Sequence, residues 1–267
     1  MRLAALHRSF VTLRQLAAQL QLSLFDRVLL AAGFAALCFT TVVFGGVTED
    51  VTRHNGLSTT DLLHLRWFTQ HRSDVLVSSA RALSDIGSVG ALGVVAVVAA
   101  LLLWRHDVQL VVAIAPAVAL GIAGIAAAAA KSLVARGRPP VALHLVSETN
   151  ASFPSGHATD STALYVTLAL VVALFVVRRP LVRCACVLGS ALLSAAIGAS
   201  RLVLGVHWPT DVVAGWALGA SVALVVTIAT SLAVRLARQG PTAPNRLLVR
   251  VTNLASRQRH VRALEAA

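Results

Sequence analysis

Charged side chains are scarce in this 267-residue chain: they make up 13% of the residues, whereas hydrophobic residues make up 57%. A typical soluble domain carries about 25% charged residues, so too few polar side chains remain here to cover a surface that faces water. The mean hydropathy of +0.78 agrees with this. The composition excludes an intrinsically disordered chain, which is poor in hydrophobic residues. It indicates an integral membrane protein.

Cysteine is also rare. The three cysteines, Cys38, Cys184 and Cys186, all lie within apolar stretches. An odd and small number of this kind excludes the disulfide framework of a small secreted domain. Cys184 and Cys186 are two residues apart, so on a helix their side chains diverge. We interpret all three as small apolar residues rather than as metal ligands.

Six apolar runs are long enough to cross the hydrocarbon core of a membrane, which takes about 20 residues of helix. Only helices and closed barrels satisfy their backbone hydrogen bonds in lipid, and these runs are continuously apolar rather than alternating, so we expect helices. We therefore predict an all-α fold: a polytopic membrane protein with a six-transmembrane-helix bundle. The runs are Val28–Val47, Ile86–Trp104, Val108–Ala130, Ala158–Val177, Leu181–Ala199 and Val212–Val234.

The sequence divides into three predicted regions. Residues 1–27 form an amphipathic cytoplasmic segment, residues 28–234 the six-helix domain, and residues 235–267 a basic cytoplasmic tail. Within the domain, residues 48–85 form an outer-face loop with an interfacial helix between the first two spans. The helical pattern at Ser58–Leu83 has two interpretations: a helix that shields the bundle, or a lid over a site on that face.

Positive charge is abundant, at a formal net charge of +12, although Lys131 is the only lysine beside 22 arginines. Six spans place both termini on one side of the membrane. The whole positive excess falls on that side, while the charges on the other side balance. By the positive-inside rule the termini are cytoplasmic. We expect the membrane to be a bacterial inner (plasma) membrane. The charge is then a signal of topology, with contact to membrane lipids as a possible addition, and nucleic-acid binding has no separate support.

Polar residues collect at four helix ends that a bundle of this connectivity places on the outer face. Polar and charged groups at such positions are costly and often functional. The residues are Lys131 and Arg138 after the third span, Ser155, Gly156 and His157 before the fourth, Arg201 at the end of the fifth, and His207 and Asp211 before the sixth.

Each group has a structural and a functional interpretation. Lys131 and Arg138 are either snorkelling cations or phosphate ligands, and a lone lysine in an arginine-rich chain favours a need for a compact ammonium group. Ser155 is either a helix N-cap or, with Gly156, part of an anion site built on free backbone N–H groups.

The pair His207 and Asp211 is either a capping carboxylate beside an interfacial histidine, or a dyad in which Asp211 orients the imidazole. A metal site formed with His157 is a further alternative, which the neighbouring cations disfavour. Together, three cations, a helix N-terminus, two histidines and one aspartate are suited to binding and transferring a phosphoryl group.

These groups form three segments with a recognisable spacing. The segments are Lys131-x6-Arg138-Pro139, Pro154-Ser155-Gly156-His157 and Ser200-Arg201-x5-His207-x3-Asp211. In order and spacing they resemble the three-part signature of the type 2 phosphatidic acid phosphatase superfamily. The resemblance covers the motifs between Lys131 and Asp211, and the six-helix arrangement extends it over most of the chain.

The resemblance implies a role for each residue. His207 attacks phosphorus and forms a phosphohistidine, Asp211 orients it, and His157 protonates the leaving oxygen and later activates water. No metal or other cofactor is implied, because fixed cations stabilise the phosphoryl charge. The implied phosphate ligands are Lys131, Arg138, Ser155, Gly156 and Arg201.

From this we expect hydrolysis of a lipid phosphate or diphosphate at the outer face of the membrane. Polyprenyl diphosphate of the undecaprenyl type is favoured, followed by phosphatidic acid and phosphatidylglycerol phosphate. Two alternatives remain: a lipid phosphotransferase that uses the same phosphohistidine, and a non-catalytic membrane protein that binds lipid phosphates. A transporter is disfavoured, because its broken helices would meet near the bilayer midplane.

Overall fold

A computed structural model of the chain describes residues 23–106 and 108–239. Most of the predicted amphipathic segment and of the predicted basic tail lies outside these residues. Regular structure within them is helical. The α-helices are α1 (Leu24–Arg53), α2 (Asp61–Gln70), α3 (Asp74–Ile86), α4 (Val89–Arg105), α5 (Leu110–Ala113), α6 (Ala115–Val134), α7 (Gly156–Val171, continued by a π-helical turn at Val172–Val176), α8 (Pro180–Val203) and α9 (Pro209–Gln239).

Five of the described helices are long and apolar enough to cross a membrane: α1, α6, α7, α8 and α9. Helices α3 and α4 meet at a bend of 54° and bring the number to six if the bent pair is one span. The all-helical fold and its membrane-spanning composition are therefore confirmed, and the count of six spans stays a prediction. The chain divides into two compact units, and residues 24–231, which form the larger one, carry everything described below.

Helix α1 is longer than its apolar run. The run predicted a helix that ends at Val47, whereas α1 continues to Arg53. The added turns are polar and are supported by an ion pair between Glu49 and Arg53, whose charged atoms lie 2.7 Å apart. A hydrophobicity pattern detects only the part of a helix that can face lipid, so it misses turns held by such i,i+4 pairs.

The helical segment predicted at Ser58–Leu83 is present as two helices rather than one. The chain breaks after α2, and Ser73 begins α3 by accepting a hydrogen bond on its Oγ from the Leu76 N–H at 3.2 Å. Ser88 caps α4 in the same way through the Ala91 N–H at 3.3 Å. Serine N-caps of this kind start new helices without interrupting the apolar pattern. The placement of α2 and α3 at a membrane interface remains a prediction.

Helix α7 buries several polar side chains, while neighbouring helices expose large apolar ones. Thr159, Ser161 and Thr167 of α7 are fully buried. Large apolar side chains such as Ile125 and Leu188 are instead more than half exposed. This distribution fits a protein whose outer surface faces hydrocarbon, where association of helices depends on close packing and interhelical polar contacts.

The ends of α6, α7, α8 and α9 that carry the motifs lie at one end of the larger unit. The backbone N–H of Ser155 donates to the carbonyl oxygen of Asp211 at 3.0 Å, which joins the starts of α7 and α9. Arg72 donates to the Val203 and Leu143 carbonyl oxygens, both at 2.8 Å, and so caps the end of α8. The connector 135–155 is thereby held across these helix ends.

Close packing of α7 and α9 depends on a glycine. A Cβ on Gly219 would lie 2.4 Å from the Thr159 carbonyl oxygen, whereas one on Gly121 of α6 would meet nothing within 4 Å.

We expect Gly219→Val to destabilise the bundle by roughly 1–3 kcal/mol, the usual cost of overpacking, and to lower the thermal unfolding midpoint in detergent. Gly121→Val, the matched control, should leave the midpoint nearly unchanged, and equal effects of the two substitutions would contradict this packing.

Candidate active site

His207 and Asp211 form a buried pair at the start of α9. Pro209 begins the helix, and Asp211 in its first turn places a carboxylate beside the preceding loop. Nδ1 of His207 lies 3.3 Å from Oδ2 of Asp211, and both side chains are essentially inaccessible. The same carboxylate oxygen accepts the Trp208 N–H at 2.9 Å. The predicted dyad is therefore assembled by the first turn of one helix.

The second ring nitrogen of His207 faces a cation. Nε2 lies 3.3 Å from Nη1 of Arg138. A guanidinium group can only donate, so Nε2 is the acceptor, and the proton is on Nδ1, where it faces Asp211. Burial lowers the pKa of His207 to about 4, against the hydrogen bond to Asp211, which raises it. At neutral pH the imidazole is therefore neutral, with a lone pair on Nε2.

Asp211 also pairs with Arg136, a residue to which the motifs gave no role, through the carboxylate oxygen that does not face His207. Nη1 of Arg136 donates to Oδ1 of Asp211 at 2.6 Å, and Nη2 to Oδ2 of Asp61 at 2.6 Å. Asp61 lies at the start of α2 and accepts the Thr210 N–H at 3.0 Å, which caps α9. This chain of charges connects three separate segments of sequence and fixes the carboxylate that orients His207.

The three predicted cations surround the dyad. Arg138 is fixed by the Val206 carbonyl oxygen at 2.7 Å and the Asn150 side chain at 2.6 Å. Burial lowers the pKa of Arg138, while Glu148 and Asp211 oppose this shift. Lys131, in the last turn of α6, donates to the Ala151 carbonyl oxygen at 2.5 Å. Arg201, in the last turn of α8, is almost completely buried.

The start of α7 contributes the remaining predicted residues. Ser155 occupies the N-cap position but makes no capping hydrogen bond with its side chain. Its Oγ is buried and has no hydrogen-bond partner. This argues against the purely structural interpretation and leaves the hydroxyl available to a ligand. Nε2 of His157 lies 3.4 Å from Oγ of Ser84.

A carboxylate that the sequence reasoning did not assign joins two of the cations. Glu148, in the connector between α6 and α7, contacts Nη2 of Arg138 at 3.4 Å and Nη2 of Arg201. Burial by itself raises the pKa of the Glu148 carboxyl, but Arg201 and Arg138 together outweigh burial and hold the pKa below its ordinary value. Glu148 is therefore ionised and occupies ligand positions of the two arginines.

A cavity of about 320 Å³ opens between these groups. Five of the eight predicted site residues line it, and the other three, Ser155, Arg201 and Asp211, are buried next to the residues that do. The five are Lys131, Arg138, Gly156, His157 and His207. Among residues 23–106 and 108–239, no group of three or more histidine, cysteine, aspartate or glutamate side chains could hold a metal ion.

Sequence reasoning missed Asp61, Ser84, Arg136 and Glu148. Asp61 and Ser84 precede the first motif by many residues, so no spacing connects them to it. Arg136 and Glu148 lie between motifs, and an acidic residue in a short connector flanked by cations is the signal that could have suggested Glu148. Asp160, which belongs to none of the three motifs, also lines the cavity.

Comparison with known proteins shows the family of the chain. The PAP2 superfamily model matches residues 112–235. Decaprenylphosphoryl-5-phosphoribose phosphatase of Mycobacterium tuberculosis is 34% identical over 156 residues, which cover 57% of this chain and 78% of that protein. The protein of the same name from Mycolicibacterium smegmatis is 41% identical over 97 residues, 35% of this chain and about half (47%) of that protein.

A solved structure shares the fold. The crystal structure of a transmembrane PAP2-type phosphatidylglycerolphosphate phosphatase from Bacillus subtilis superposes with a TM-score of 0.63 at 20% identity, and covers 74% of this chain and 96% of that one. Fold, site and relatives together define a membrane-embedded lipid phosphatase. The chain belongs to the PAP2 superfamily, which confirms the resemblance inferred from its motifs.

The position of Glu148 gives a prediction about substrate affinity. A phosphate that binds Arg138 and Arg201 must displace the carboxylate of Glu148, since phosphate and carboxylate compete for charge-assisted hydrogen bonds from the same N–H groups. We expect Glu148→Gln to lower KM for a lipid phosphate by about three- to tenfold, the scale of one such contact, and to strengthen inhibition by inorganic phosphate.

The matched control is Glu49→Gln, which also removes a carboxylate from an arginine but on an exposed turn of α1. It should leave KM unchanged. Steady-state phosphate release in detergent measures both variants, and a higher KM for Glu148→Gln would show that Glu148 organises the arginines instead of competing with substrate.

Proposed function

We propose that the chain hydrolyses a lipid phosphate or diphosphate without a metal ion, through a phosphohistidine intermediate. The observation that carries the proposal is the orientation of His207. Its Nδ1 proton faces Asp211, and the lone pair of Nε2 faces Arg138. Simple binding of phosphate needs only cations, whereas a neutral imidazole fixed in one tautomer by a carboxylate is the arrangement of a nucleophile.

In the first step Nε2 of His207 attacks phosphorus, and the bond between phosphorus and the oxygen of the lipid breaks. The leaving oxygen takes a proton from His157. Asp211 stabilises the positive charge that develops on the imidazole. The cations Lys131, Arg138 and Arg201 stabilise the phosphoryl oxygens, a role for which preorganised charges are effective.

In the second step the neutral His157 takes a proton from water as the water oxygen attacks the phosphohistidine. The phosphorus–nitrogen bond breaks, inorganic phosphate forms, and the electron pair returns to Nε2 of His207. Both histidines are then in their starting protonation states. The hydroxyl of Ser155 and the first backbone N–H groups of α7 add hydrogen bonds to the phosphate, at a helix terminus suited to anions.

The substrate is proposed to be a lipid because the site lies at the ends of helices apolar enough to span a membrane. The sequence favours polyprenyl diphosphate, then phosphatidic acid and phosphatidylglycerol phosphate. The mycobacterial relatives are phosphatases named for decaprenylphosphoryl-5-phosphoribose, which adds a polyprenyl lipid with a phosphorylated sugar to these candidates. The phosphotransferase alternative uses the same first step and differs only in the acceptor.

The chemistry is tested by phosphate release in detergent with EDTA, from polyprenyl diphosphate, phosphatidic acid and phosphatidylglycerol phosphate in parallel. We expect release by the wild type to survive EDTA and His207→Ala to abolish it, because no other group supplies the nucleophile. His144→Ala, a histidine outside the cavity that contacts the Pro139 carbonyl oxygen, is the control and should retain activity.

Labelled phosphate should be trapped on the wild-type protein after a rapid quench, in an adduct that is labile to acid and stable to base, and not on His207→Ala. Transfer of label to an added alcohol without free phosphate would move the assignment to a phosphotransferase. Activity in His207→Ala would contradict the phosphohistidine mechanism.

We further propose that the site faces the periplasm or cell exterior of a bacterial inner membrane, with both termini in the cytoplasm. The distribution of basic residues supports this orientation. To test this orientation, single cysteines are introduced at two exposed positions of a variant whose three native cysteines are replaced by alanine. One position is Thr59, near the site, and the other is His106, directly after the last residue of α4. An impermeant thiol reagent applied to intact cells should label Thr59→Cys only, and labelling of His106→Cys only would invert the topology.

A further inference from the structure

Asp160 is a buried carboxylate that the proposed reaction does not use. It lies on α7 one turn after His157, is 7% exposed, and lines the same cavity as His207. Its Oδ1 has no hydrogen-bond partner. Buried polar atoms in native proteins are almost always paired, and an unpaired one calls for an explanation. An unpaired acceptor in the wall of a substrate cavity points to a donor on the substrate.

The position of Asp160 is defined by its distance from the start of α7 and by the residues that share its cavity. Its Oδ2 lies 4.0 Å from the place that a Cβ on Gly156 would occupy, so the carboxylate lies on the face of α7 that begins at the phosphate-binding end. The cavity continues from Lys131 along α6 as far as Gly124, about two turns deeper. Both observations place Asp160 in the cavity wall, one turn along α7 from its first backbone N–H groups.

A structural role for Asp160 has little support. Lys131, the cation in the same cavity, donates to the Ala151 carbonyl oxygen, and its attraction for Asp160 acts through space rather than through a hydrogen bond. The carboxylate caps no helix, because α7 begins four residues earlier at Gly156. Its removal would therefore break no side-chain hydrogen bond between the described helices.

We infer that Asp160 accepts a hydrogen bond from a hydroxyl group on the alcohol that carries the scissile phosphate. The inference rests on the proposed function and narrows its substrate class to lipids with a phosphorylated polyol, such as glycerol or ribose. A fully acylated glycerol phosphate offers no such donor. A diphosphate places a second anionic group next to the carboxylate, where like charges repel. Polyol phosphates therefore rank above the polyprenyl diphosphate that the sequence favoured.

The test combines two proteins and two substrates. Wild type and Asp160→Ala are each assayed for phosphate release from phosphatidylglycerol phosphate and from an analogue whose head-group hydroxyl is replaced by hydrogen. A site built to bind a hydroxyl discriminates strongly against an analogue that lacks it, so we expect wild-type kcat/KM to be at least about tenfold higher for the hydroxylated lipid. In Asp160→Ala the two values should become nearly equal.

Two further variants keep the result interpretable. Asp160→Asn retains an acceptor oxygen of the same shape and should keep most of the preference. Thr162→Ala removes another buried, unpartnered oxygen from α7 at a position that does not line the cavity, and should leave the preference unchanged.

The wild-type comparison needs no substitution, so equal rates would overturn the role of Asp160 even if Asp160→Ala fails to fold, and Asp160→Asn then tests a preference that is present. Equal wild-type rates on the two lipids, or a preference that survives in Asp160→Ala, would overturn the role of Asp160 and leave lipid phosphate hydrolysis intact. Absence of phosphate release from every lipid by the wild type would overturn the proposed function itself.

Discussion

The carboxylate of Asp211 is a buried charge, and the groups that pair with it organise the rest of the site. With no exposed surface, it depends on protein partners, because a buried charge that loses its partner is strongly destabilising. Arg136 supplies the counter-charge at 2.6 Å, and the Trp208 N–H and His207 supply the remaining hydrogen bonds. Arg136 is paired in turn with Asp61, so α2, the end of α6 and the start of α9 are held together by a single electrostatic network.

That network has a direct chemical consequence. Because Asp211 is held from behind by Arg136, its other oxygen is fixed toward Nδ1 of His207. The tautomer of His207 and the direction of its Nε2 lone pair follow from this. The orientation of the His207 imidazole therefore depends on Arg136 and Asp61, which do not line the cavity, and α2 contributes to it through Asp61.

A site built from fixed cations also has to be stable before substrate arrives. Lys131, Arg138 and Arg201 repel one another, and the repulsion is stronger where protein and lipid exclude water. Glu148 lies between the two arginines, and Asp160 lies beside Lys131 in the same cavity. Glu148 offsets part of this repulsion, because its carboxylate lies between the two arginines.

The sequence by itself determined the class of the protein and predicted the residues of its site. Long apolar runs can only become helices in lipid, and the order and spacing of Lys131, Arg138, Ser155, His157, Arg201, His207 and Asp211 were enough to indicate phosphoryl chemistry. Helix ends beyond the apolar runs were not predictable in this way, because the turns that end at Arg53 are mostly polar in sequence and depend on tertiary packing of Val51 against Phe153 and Ala214 as well as on the exposed pair of Glu49 and Arg53.

The tertiary structure alone decided the partners of these residues. Asp61 and Thr210 are joined across 149 positions of sequence, and no local pattern records such a contact. The same holds for Glu148 between the arginines and for the unpaired oxygen of Asp160. The physical reason is that the compensation of a buried charge depends on which groups are near it in space, and that proximity exists only once the helices have packed.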